Sequence, residues 1–158
     1  MPDAAPTPVP AGPRAHAPFA NDAAVEDIVR GFLDRGLVKP RWTHHAHIVV
    51  AIWHIRRYGE ADALDRLRDR IWSYNLSVGT ANTDTGGYHE TITRFFVWQV
   101  ARFLERQPAD AAFVDLVNRL AASPEGAKDW PFTYWSRDRL MSVAARRGWV
   151  EPDLRPMA

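Results

Sequence analysis

Histidines are the residues of this chain whose number and spacing invite chemistry. Four of the six fall between residues 44 and 54, in the run Thr43-His44-His45-Ala46-His47 and again at His54. If that run opens a helix, His44 and His47 lie about 60° apart on one face, because each residue advances about 100°. An i, i+3 pair of side chains can grip one ion, as Glu-x-x-His pairs do in di-iron helical bundles. His54 shares the direction of His47 but sits roughly 10.5 Å further along the axis, too far to join the same ion. His45 points elsewhere. The positive end of a helix dipole disfavours a charged imidazolium and so favours neutral imidazole, the form a metal requires. The competing role for such histidines is capping, or that of an ordinary buried polar group.

A third histidine stands in Gly87-Tyr88-His89-Glu90-Thr91, after the glycine pair Gly86-Gly87. With its helix opening at Tyr88, His89 also occupies a first turn. If the two helices pack side by side, His44, His47 and His89 are the expected ligands of one divalent ion: iron, copper or zinc. Glu90, about 100° round from His89, is then the expected general base or brace of a bound water. Its alternative is a helix-start carboxylate serving free backbone donors. Thr93 stands where a zinc-protease helix would need its second histidine, so that motif is absent. Asp84 reads as a turn residue before a ligand. Thr91 and Thr93 read as bonding back to their own helix. Tyr134 is a further catalytic candidate, in the aromatic patch Trp130, Phe132, Tyr134 and Trp135, which either lids a pocket or packs as core.

Composition narrows the chemistry. There is no cysteine, which excludes thiolate-bound metal and disulfides. The net charge of +1 argues against a nucleic-acid partner, which would want a clustered basic face. Only Lys39 and Lys128 among the 20 basic residues are lysines. No apolar run approaches the roughly 18–20 residues a membrane span needs, and no signal-peptide pattern is visible. The expected address is the cytoplasm and the expected partner a small-molecule substrate. Oligomeric state is not legible.

Helices must position these residues. Residues 1–20 hold six of the 12 prolines and read as an extended leader that includes His16. A single helical domain is expected over 21–155. The first helix starts at Asn21 or Asp22, carries Val25, Ile28, Val29, Phe32 and Leu33, and closes at Gly36. The second opens after Thr43 and ends at Gly59. The third covers about 60–77, with Leu64, Leu67, Ile71, Tyr74 and Val78 inward and its charges as solvated ion pairs. A polar loop, 79–87, leads to a fourth helix over about 88–105. A fifth covers about 108–122, residues 123–135 are irregular, and a last helix covers about 136–147. Trp149, Val150 and Leu154 fold back. The fold expected is all-α: a bundle of five to six helices with an irregular C-terminal segment.

The chain also resembles a group of small bacterial helical proteins that share Thr-His-x-Ala-His (residues 43–47) and Gly-Tyr-His-Glu-Thr (87–91). They share as well a tyrosine-containing stretch ending in Trp-Val-Glu-Pro-Asp-Leu (149–154). The resemblance spans roughly residues 40–155 and implies that His44, His47, His89 and Glu90 matter more than His45 and His54. Three functions follow as expectations. The first is a metal-dependent enzyme performing hydrolysis or oxygen chemistry. The second is a metal-free ligand-binding module or acid–base enzyme using His89 and Glu90. The third is a non-catalytic helical interaction domain.

Overall fold

The first helix begins where its cap chemistry dictates. Asn21 accepts the Ala24 N–H through its side chain, and α1 runs Asp22–Asp34. In the computed structural model, which describes residues 17–158, Val25, Ile28, Val29 and Phe32 form the buried face of α1. Its end differs from expectation. Arg35, with φ 61°, takes the left-handed position in place of Gly36. Asp34 accepts the Gly36 N–H at 2.7 Å, and Leu37 donates back to Gly31 O, so side-chain and backbone bonds hold a residue that glycine would occupy more cheaply. His16 and most of the expected leader lie outside the described residues. Phe19, assigned to the leader, is instead docked: its backbone N–H and C=O both bond the Asn118 side chain, at 3.3 and 2.9 Å.

Helix α2, His44–Tyr58, is capped by Thr43 and closed by Gly59. It is buried on most sides, as its apolar composition requires. It packs against α1 and against α3 (Glu60–Ser77), α4 (Glu90–Glu105) and α5 (Phe113–Ala122). Each large aliphatic side chain it buries contributes on the order of 1.5–3 kcal/mol. On α3 the inner row is Ala63, Leu67, Ile71, Tyr74 and Asn75. Its arginines are not simply solvated. Arg66 lies 4.0 Å over the Tyr58 ring, Arg68 grips Glu90, and Arg70 donates to His54.

Helix α5 is shorter than its pattern suggested, because residues 108–112 form a turn before Phe113. Short 3-10 turns at Pro124–Gly126 and Trp130–Thr133 follow. The expected last helix is broken into α6, Arg137–Leu140, which ends at Met141, and α7, Val143–Arg147, which Ser142 caps anew. The described residues thus form seven helices, five of them of ten or more residues, and no strand. Among them no helix is long and apolar enough to cross a membrane. A second core joins α4 to the C-terminal segment: Phe95, Tyr134, Trp135 and Leu140, with Trp149 and Val150 packed on it. Leu154 does not fold in and stays 59% exposed, although its N–H bonds Tyr134 O.

Candidate functional site

The openings of α2 and α4 face one cavity of about 920 Å³. Its walls are Ile48, Val50 and Ala51 from α2, Leu67 and Ile71 from α3, and Ile92, Phe96, Val97 and Val100 from α4. Its polar lining is Thr43, His44, His47, His89 and Thr93, with Lys128, Asp129, Arg137 and Arg146 arriving from the C-terminal third. An apolar body with a few convergent polar groups is the usual form of a small-molecule site. The three expected histidines therefore do share one cavity, but they are not equivalent in it.

His44 donates from Nε2 to the carbonyl of Gly126 at 2.7 Å. Gly126 can deliver that carbonyl because it has no side chain: a Cβ there would stand 2.0 Å from Leu120 O. His47 donates from Nδ1 to Thr43 O at 2.7 Å, and its ring lies 3.8 Å from that of Trp42. Each bond fixes a tautomer and leaves the other nitrogen as an acceptor. Neither His44 Nδ1 nor His47 Nε2 has a protein partner. The one buried side-chain polar atom without a partner among the described residues is Arg102 Nε, so these two nitrogens open onto solvent-filled space. Burial is the main force lowering both pKa values, that of His47 to about 4. The Lys128 ammonium adds to both effects. Both rings are neutral at physiological pH.

His89 differs. Sequence placed it in the first turn of its helix, whereas it is the N-cap of α4. Nδ1 accepts the Ile92 N–H at 3.1 Å, taking the place of a serine or aspartate side chain. Nε2 then carries the proton and donates to Leu140 O at 2.8 Å. Both nitrogens are used, and a metal could take one only by breaking a cap or a tether to α6. As they stand the three rings offer two unpartnered nitrogens. Among the described residues no three His, Cys, Asp or Glu side chains gather as an ion site would need.

Glu90 and Tyr134 are placed outside the cavity. Glu90 takes Arg68 in a two-pronged pair, Nε at 2.8 and 3.0 Å and Nη2 at 2.6 Å, and accepts Tyr88 OH at 2.7 Å. Burial pushes its pKa up, but the bonds from Arg68 and Tyr88 outweigh it and the net shift is down. A carboxylate so held is a brace between α3 and α4 and a poor proton acceptor. Tyr134 is 5% exposed in the second core, and its hydroxyl accepts from Arg155 at 2.5 Å.

The remaining candidates are structural. His54 is fully buried, donating to Val50 O at 2.6 Å and accepting from Arg70 at 2.8 Å. Asp84 pairs on the surface with Arg147 through two contacts of 2.6 and 2.8 Å. Thr91 does not bond back to its helix. It donates to Gly148 O and accepts from Val150 N, tying down the C-terminal segment.

Sequence reasoning missed Trp42, Gly126, Lys128 and Arg146. The isolation of Lys128 among arginines was a visible signal. The carbonyl of Gly126 was not, since it depends on a close approach that the sequence does not spell. The 79–87 loop is organised by Asn82, whose side chain accepts from Asn75 and from the Tyr88 N–H. Gly87, at φ 75°, lets that loop turn into α4: a Cβ there would meet Ala81 O at 2.5 Å. No family model, curated protein or solved structure matches the chain.

Proposed function

We propose that this protein binds a small organic molecule in the α2–α3–α4 cavity, using His44 and His47 as neutral hydrogen-bond acceptors against an apolar wall. One observation carries the reading. Among the described residues nearly every buried side-chain polar atom has a partner, whereas these two imidazoles each turn an accessible, unpartnered nitrogen to a cavity that both line. A ligand donor, or a water held between ring and ligand, fills that open position.

This favours the metal-free reading over the expected metalloenzyme. Lys128, Arg137 and Arg146 line the cavity against the single acid Asp129, and that field opposes a divalent cation. Proton transfer is the second role the same pair supports. An imidazole with a pKa near 4 is by itself a weak base. A bound anion would raise it toward the range in which histidine exchanges protons.

The test is a ligand screen by thermal shift on the intact chain, repeated on His47→Leu. A hit that stabilises the native chain and not the variant supports the proposal. Metal analysis of the purified protein is expected to show no stoichiometric zinc, iron or copper. One equivalent of metal, lost in both His44→Ala and His89→Ala, would overturn it in favour of the three-histidine ion.

A further inference from the structure

The cavity's charges define a ligand class. Three basic side chains, Lys128, Arg137 and Arg146, line it with one acid, Asp129. Several cations elsewhere stand in ion pairs. Arg68 is held by Glu90, Arg102 by Glu60, Arg106 by Glu125 and Arg147 by Asp84. Among the described residues no carboxylate lies within ion-pair reach of Lys128, Arg137 or Arg146.

Arg146 spends Nη1 on the carbonyls of Gly87 and Tyr88, and Arg137 lies 4.7 Å over the Phe132 ring. Those contacts orient the two guanidinium groups and leave their charges uncancelled. Lys128 has no hydrogen-bond partner among the described residues. It is close enough to His44 and His47 for its charge to act on both.

Resting on the pocket reading above, we propose that the ligand is an amphipathic monocarboxylate, such as a medium-chain fatty acid. Its carboxylate seats by Lys128 with Arg137 and Arg146 and, having no proton to give, meets the open nitrogens of His44 and His47 through a bridging water, while its carbon chain lies along Ile48, Leu67, Phe96 and Val100. A carboxylate there shares the cavity with three positive charges and gains charge-assisted bonds from those it touches. Below it the apolar wall takes up the chain. An amine would face three like charges and an alcohol would forgo the ionic part.

The experiment compares decanoate, 1-decanol and decylamine as probes by isothermal calorimetry on the full chain at low salt. Decanoate is expected to bind at least about tenfold more tightly than decanol, with decylamine weakest. Lys128→Met, at an exposed position, is expected to weaken decanoate severalfold and decanol far less. Lys128→Arg is expected to retain most of the preference.

Equal binding of decanoate and decanol, or an unchanged preference in Lys128→Met, overturns the carboxylate inference and leaves the pocket reading in place. Binding of none of the three probes overturns both. Preference for decylamine would mean that Asp129 governs the mouth, and would also overturn the inference.

Discussion

Two aromatic-rich regions of this protein are built from similar residues and satisfy them differently. In the C-terminal core, around Phe95, Tyr134 and Trp135, most polar handles are used within the chain. Trp135 Nε1 donates to Val150 O, Trp130 Nε1 to Gln99, and Trp149 Nε1 to Glu151, while Tyr134 accepts from Arg155. In the cavity at the head of α2, His44 and His47 each commit one nitrogen to a carbonyl and hold the other open. Aromatic content does not mark a site. What separates the regions is whether polar atoms are spent on partners within the chain or left facing a cavity, where a ligand can reach them.

Substitutions sharpen that contrast, beginning with the largest effect. Trp135 is fully buried and packs edge-on against Phe95 and Trp149. Trp135→Ala is expected to cost about 3–5 kcal/mol, measured by urea unfolding. A cost below about 1 kcal/mol would show that the C-terminal segment is not part of the core.

Acidification comes next. His47 and His54 are held neutral, each lowered to about 4 from 6.5. Burial is the main cause for both, with Lys128 and His44 acting on the first and Arg70 and Arg66 on the second. Between those values the unfolded chain binds more protons than the folded one. Stability is therefore full above pH 6.5 and falls as pH drops toward 4, by several kcal/mol in all. Adding His54→Gln should flatten part of this slope. An unchanged slope would mean that His54 is not held neutral.

A smaller cost attends Glu90→Gln, which removes the charge from the Arg68 pair. About 1–2 kcal/mol is expected, discounted because Arg68 is partly exposed, with ligand affinity unchanged. A loss of affinity without loss of stability would restore Glu90 to the site. The smallest effect on stability, within about 1 kcal/mol, is expected for His47→Leu, accompanied by the largest loss of ligand affinity.

Much of the fold was legible in the chain. The spacing of Val25, Ile28, Val29 and Phe32, and the caps Asn21, Thr43 and Gly59, carry their helices by local chemistry alone. The C-terminal helix was read as continuous because Ser142 looks like any polar surface residue until it caps a new turn. For the site, the sequence singled out His44, His47 and His89, and all three line one cavity. It could not tell a histidine with a spare nitrogen from one with none. That distinction depends on two distant carbonyls, Gly126 O and Leu140 O, whose positions are set by tertiary packing. His89 as a cap was hidden for a further reason: caps are read from serine, threonine, aspartate and asparagine.

The most direct test of the open-nitrogen account is imidazole nitrogen NMR at neutral pH, without ligand and then with decanoate added. His44 is expected to be protonated on Nε2 and His47 on Nδ1, with both acceptor nitrogens shifting as the probe binds, while the resonances of His54 and His89 stay fixed. Movement confined to His89, or none at His44 and His47 under saturating probe, would contradict it.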